Sequence, residues 1–172
     1  MDNWLNRLIA QSNGRPFTMD EAERIAEFAE SLPDRLAAAK KLEDSQKWLA
    51  KQLSDAVAPK AHGWGLPKDP FTNDFTQTLS AIAQAMLLDD PKLLDHTVIA
   101  PFEALAEALD IPADELGELY TMAWQALSRR LDVKSVSLFL PYFSYTARGL
   151  QANDFDSMVE TPMPIFDEAV TV

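Results

Sequence analysis

The residues of this chain with chemistry to offer are two histidines, an aspartate ahead of an apolar helix, and a set of aromatics. His62 and His96 are its only imidazoles, so they alone could give a nitrogen ligand to a heme iron. Such a ligand must sit on a buried helical face above a flat pocket. His62 falls in a Gly- and Pro-rich stretch and is expected in a loop, and His96 falls on a helix. A solvent-facing role is the commoner one for both, so heme is not expected. Met86 and Met122 could offer sulfur, but they fall on apolar stripes where methionine fills core. Asp74 stands where a helix is expected to begin. It can cap that helix, and it can also present a carboxylate to a cleft. Trp64, Phe71, Phe75, Tyr120 and Trp124 can stack on a flat ligand or pack together as core. Both readings stay open for the aromatics, except that Trp64 lies in a loop where a core role is less automatic.

Other chemistries find little support. The chain has no cysteine, which removes disulfides, thiol nucleophiles and thiolate metal sites, and it fits a reducing compartment. The string GWGLPK at residues 63–68 lacks the spacing of a phosphate loop. Acid pairs such as Asp89–Asp90 and Asp114–Glu115 fall where helices are expected to start, and there they complement the helix dipole. No nucleophile and base stand at a recognisable spacing. The expectation is a non-catalytic protein with no metal site.

Length and composition define the frame that must position these residues. The 172 residues suit one domain with a real core. Hydrophobic residues make up 47% and charged residues 24%, the proportions of a folded chain. The net charge of −12 repels phosphate backbones and anionic head groups, so nucleic acid and membrane surfaces are poor partners. The start of the chain lacks a basic, then apolar, leader. No apolar run reaches the roughly 18 residues of a membrane span. A cytoplasmic protein is expected.

The periodicity is helical throughout. Trp4, Leu5, Leu8 and Ile9 make a short amphipathic helix that ends near Asn13–Gly14. Thr18-Met19-Asp20-Glu21 is a capping box. It opens a helix with Ala22, Ile25, Ala26, Ala29 and Leu32 on one face, which Pro33 should break or kink. A longer helix follows over about 34–57, with an inner stripe of Ala38, Leu42, Ser45, Leu49, Leu53 and Ala56. Residues 58–70 are expected to be irregular. Phe75, Leu79, Ile82 and Met86 mark the next helix. Asp90–Pro91 opens another, with Phe102, Leu105, Ala106 and Leu109 and a kink at Pro101. Asp110 should cap the next, and Asp132 the last, which Pro141 should bend. Residues 151–172 carry five acids, two prolines and no base. They are expected to pack loosely or dock as an extended arm.

Two strings carry a family resemblance. LAAAKKLEDSQKWLAKQLSDAVAP at residues 36–59 and LDHTVIAPFEALAEALDIPADELGEL at residues 94–119 are similar to segments of the phycobiliprotein superfamily. Order and spacing agree over about 14–150. The resemblance implies an all-α, globin-like phycobiliprotein fold with an N-terminal helical hairpin extension. On it, residues 1–150 are the domain, about 1–32 the hairpin, and 151–172 an acidic tail outside the match. In that family a cysteine bonds the bilin. Here Phe71 stands in its place, Asn73 replaces the arginine that pairs with a bilin propionate, and Asp74 matches the aspartate that accepts hydrogen bonds from the pyrrole N–H groups. The position of His96 is usually an acidic surface one. A member without the cysteine resembles the bilin biosynthesis-associated globins. That implies no covalent cofactor, a non-covalent bilin held among Trp64, Phe71, Asp74, Phe75, Tyr120 and Trp124, and contact with heme oxygenase or a bilin reductase. The alternative is a structural or adaptor protein of phycobilisome-type assemblies. In the family the hairpin packs on a partner subunit, so Trp4, Leu5, Leu8 and Ile9 are the expected homodimer interface, with docking back on the same chain as the other possibility.

Overall fold

The computed structural model describes residues 4–63 and 71–150. Its elements are α1 (Trp4–Ser12), α2 (Met19–Gly63), α3 (Phe71–Leu88), a π-helical segment (Asp95–Ile99), α4 (Ala100–Leu109), α5 (Ala113–Arg130) and α6 (Val133–Gly149). No strand occurs among the described residues, and no helix there is long and apolar enough to cross a membrane. Residues 64–70 and the tail 151–172 lie outside the described residues, so the expectations for the tail and for Trp64 cannot be placed.

Local chemistry sets several helix ends where the sequence puts them. α1 stops at Ser12, whose hydroxyl donates to the Ile9 carbonyl at 2.7 Å. Asn13 and Gly14 then turn the chain through positive φ, at 47° and 81°, as side-chain-free or amide residues allow. α2 opens on the capping box: the Glu21 N–H donates to the Thr18 hydroxyl, and the Thr18 N–H donates to the Glu21 carboxylate at 2.8 Å. Arg15 closes on the same carboxylate at 2.6 Å. These bonds, Arg15 first and the Thr18 N–H next, hold the Glu21 carboxyl down to about 2. Asp132 caps α6, accepting from the Ser135 N–H at 3.0 Å.

Elsewhere the expected boundaries move. Pro33 does not break the helix, because α2 runs through it and through Pro59 to Gly63. Proline removes one N–H, and the carbonyl left without a donor at position 33 belongs to Ala29. Both residues are exposed, so water can satisfy it. His62 therefore lies in the last turn of α2, not in a loop. α3 begins at Phe71 rather than at 75, so Asp74 lies inside the first turn and is not the cap residue. Asp89 is not at a helix start: it ends α3 in the left-handed region, φ 51°. Asp110 does the same for α4 at φ 52°, and Pro112 is the residue that precedes α5. Before Pro101 the helix widens. The Ala100 N–H bonds the Asp95 carbonyl five residues back, next to a proline that cannot donate at all. Pro141 sits exposed inside α6, where the helix continues.

The core lies where α2, α3, α5 and α6 meet. α2 packs chiefly on α3, and both also meet α6. The stripe from Ala38 to Leu53 is buried as the spacing predicts, while Ala56 is exposed. Leu79, Ile82 and Met86 face it from α3, and Phe139, Phe143 and Ala147 from α6. The first half of α2 is less covered: Ala22, Ala26 and Ala29 are exposed, and Ile25 and Leu32 are half-buried. Its partner is α1. Trp4 meets Phe28 edge-on at 5.4 Å, and the Arg24 guanidinium lies 4.5 Å from the Trp4 ring centre. Arg35 ties this half to the rest. It donates to the Met86 carbonyl at the end of α3, to the Tyr142 hydroxyl at 3.1 Å and to the Asp89 carboxylate at 3.1 Å. Tyr142 donates to the same carboxylate at 2.8 Å.

Two tests follow from this packing. A Cβ added to Gly149 would lie 2.4 Å from the Ile99 Cδ1 atom. Gly149→Ala should therefore cost about 1–3 kcal/mol despite alanine's helix preference, and Ile99→Val in the same chain should recover part of it, read by denaturant unfolding. The chain has three tyrosines, and all three are shifted upward. Burial raises Tyr120 far above the phenol range. Burial, then the bond to Asp89, pushes Tyr142 up to about 12. The bond to Asp95, then burial, does the same for Tyr145, to about 12. A phenol raised in the folded state stabilises fully below its unfolded value of about 10 and loses that contribution as pH climbs to the folded value. Tyrosinate absorbance should stay flat through about pH 10 in the folded protein and rise there only in denaturant. A tyrosine titrating near that pH in the folded chain would contradict the placement.

Candidate functional site

The start of α3 and the π-segment with α4 face each other across a cleft. Asp74, Gln77 and Thr78 fall at i, i+3 and i+4, so they share one face of α3. Thr97, Pro101, Phe102 and Leu105 form the opposite wall, and the cleft holds about 260 Å³. Among the described residues Asp74 is its only charged lining residue. It is exposed and makes no hydrogen bond or ion pair among the described residues. Near the N-terminus of α3, its charge is favoured by the helix dipole.

Behind this cleft lies a second, almost wholly apolar space, lined by Leu53, Phe75, Leu79, Tyr120, Phe143 and Leu150 among others. It has room for only about 20 Å³, on the scale of one water molecule. Thr78 and Phe102 line both spaces, so they form the partition between them.

The expected ligand-facing aromatics divide accordingly. Phe75 and Tyr120 are buried and line the inner space. Trp124 is buried against Phe143, ring centres 5.1 Å apart, and lines neither space. Tyr120 packs on the same Phe143 ring at 5.4 Å. Phe71 opens α3, but its side chain lies outside what is described, as does Trp64. Of the described candidates, then, Asp74 alone is on the open cleft, while Phe75 and Tyr120 stand one layer behind it.

Of the wall formed by Thr97, Pro101, Phe102 and Leu105, sequence alone puts Phe102 and Leu105 on an apolar stripe and a kink at Pro101, and it gives Thr97 no role. A signal was present: Phe102 and Leu105 stand one turn apart directly after a proline, in a helix that buries none of its residues fully.

Elsewhere the surface offers contact rather than chemistry. His96 is exposed on the π-segment. No three histidine, aspartate or glutamate side chains group as a metal site among the described residues. Trp4 is buried against its own chain; Leu5 and Leu8 are half-buried, and Ile9 is 52% exposed. Phe17 and Met19, at the bend of the same hairpin, are exposed too. An open groove of about 700 Å³ separates α2 from α3, with Leu36, Ala39, Ala83 and Leu87 on its walls.

The geometry separates Asp74 from the core in a way stability can read. Asp74→Ala should change unfolding free energy by less than about 0.5 kcal/mol. Trp124→Ala should cost about 3–5 kcal/mol. A large loss on removing the Asp74 carboxylate would mean that it holds the fold rather than faces a ligand.

Comparison with known proteins agrees with this architecture. No curated protein shows a significant match to the chain. A family model described as phycobilisome protein matches residues 8–150, from the middle of α1 to the end of α6. The helices are those of the all-α, globin-like phycobiliprotein fold, and the absence of cysteine removes the usual point of bilin attachment. With a match that spans residues 8–150, this chain belongs to the phycobilisome protein family.

Proposed function

We propose that this chain is a non-catalytic member of its family that serves bilin metabolism by holding a linear tetrapyrrole without a covalent bond. The observation that carries the reading is Asp74: a carboxylate with no partner among the described residues, at the rim of a cleft with a mostly apolar far wall. A tetrapyrrole presents a row of N–H donors along one edge and flat apolar faces. The carboxylate can accept from the N–H edge, while Pro101 and Leu105 cover a face. The cleft is small beside the roughly 300–1,000 Å³ of typical ligand sites, so most of such a ligand would remain in water. That suits transient handling more than a fixed antenna pigment. Heme oxygenase or a bilin reductase is the fitting partner, in the cytoplasm, since such a site would accept pigment from one enzyme and pass it on.

A second reading has its own observation. Phe75, Tyr120 and Trp124 are spent on the core, while Ile9, Phe17 and Met19 stay exposed on the hairpin. That pattern favours a protein that works through contacts alone, as a homodimer or as a component of antenna-type assemblies.

Desalting after mixing with biliverdin, phycocyanobilin and hemin in turn tests the two. On the first reading a bilin band co-elutes with protein, sharpened and shifted to the red, and Asp74→Ala weakens it about tenfold or more, the effect of a lost charge-assisted hydrogen bond. Pigment that passes through unbound, with the protein eluting as a dimer, would leave the second.

A further inference from the structure

The two spaces behind Asp74 are separated by very little. Thr78 and Phe102 are the residues common to both linings. Thr78 is fixed, because its neighbours on α3, Leu79 and Ile82, are buried in the core. Phe102 is held far less firmly. It is half-buried, on a helix with no fully buried residue. α4 continues the π-segment without a break, and Phe102, Leu105, Ala106 and Leu109 rest only half-buried against the core. Both ends of that helix are irregular: a widened turn and a proline at the start, and the left-handed Asp110 at the end. An element with so few buried residues opens at low cost, and π-turns inside helices, rare in general, are frequent at functional sites.

We propose that the Phe102 ring is a gate between the outer cleft and the inner apolar space, and that its swing sets how deeply a flat apolar ligand enters. This rests on the tetrapyrrole reading above for the identity of the ligand, but not for the existence of the gate. With the ring in place, the outer cleft takes only the edge that meets Asp74. With the ring displaced, the two spaces merge into one that runs from Asp74 to Phe75, Tyr120 and Phe143. Phe75 and Tyr120, two of the aromatics expected from sequence to face the ligand, then do so, while Trp124 lines neither space. The bound state is a minor conformation made dominant by the ligand. The closed ring lowers the apparent affinity by the fraction of time the gate is open.

The test uses the full chain with Phe102→Ala, Phe102→Leu and Phe102→Trp, checked for helix content by circular dichroism. Leucine keeps most of the apolar volume, so it remains informative if the alanine variant folds poorly. Two readouts separate the gate from the ligand: biliverdin titration by absorbance, and xenon uptake by xenon NMR, which needs no tetrapyrrole. The gate predicts more xenon uptake in the alanine and leucine variants than in wild type. It also predicts biliverdin binding about tenfold tighter for them, if the gate is open about a tenth of the time in wild type, and weaker for the tryptophan variant. Greater xenon uptake with no biliverdin bound by any variant supports the gate and overturns the tetrapyrrole reading. Xenon uptake in the alanine and leucine variants equal to wild type overturns the gate, whatever biliverdin does.

Discussion

The Phe143 ring closes the interior of this protein. It is fully buried on α6 and packs on Tyr120 and Trp124 of α5, and it forms the back wall of the apolar space behind the cleft. A ring of that size, fixed by two aromatic contacts, leaves space on the scale of a single water where a larger member of a tetrapyrrole site could sit. The functional surface is thereby pushed outward. On the proposed function a bound tetrapyrrole begins at the seam between α3 and α4, since the space behind it is filled by the chain's own side chains.

That seam exists because the two halves of the bundle are held differently. α2, α3 and α6 are locked by Arg35, which bonds the end of α3, Asp89 and Tyr142 together. Asp89 adopts a left-handed backbone, which positions its carboxylate for both partners. Gln46 adds a second tie from α2 to the Thr76 carbonyl and the Ser80 hydroxyl of α3. α4 receives nothing comparable. Its apolar residues are half-buried at best, and the helix leads out of a π-turn into a proline. Rigidity on one wall and loose packing on the other are the arrangement expected of a site that must admit a ligand without unfolding.

Much of this was legible in the chain where the information is local. The capping box of Thr18 and Glu21, the Asp132 cap and the Asn13–Gly14 stop each depend on side chains within four residues, so spacing alone finds them. The inner stripe of α2 from Ala38 to Leu53 follows from period. Sequence leaves a break or a kink open at Pro33, and no break occurs, because a proline's cost depends on whether the carbonyl four residues back meets water, which is a property of the assembled surface. Asp110 was read as opening a helix when it closes one, since aspartate serves both ends: by its side chain at one and by its tolerance of the left-handed region at the other. In the candidate site, Asp74 was legible by resemblance. Its opposite wall was not, because Phe102 and Leu105 look like core in one dimension. The fate of Phe75, Tyr120 and Trp124 turned on Phe143, more than a helix away from each of them in sequence.

On the proposed function, the seam between α3 and α4 is the place where a tetrapyrrole meets this protein. Hydrogen exchange with and without biliverdin, read peptide by peptide, addresses that directly. Slowed exchange confined to the first turns of α3 around Asp74 and to the π-segment and α4 is the result the account predicts. Slowed exchange in the α1–α2 hairpin or along the α2–α3 groove, with none at Asp74 or α4, would contradict it and place the protein's business on its contact surfaces.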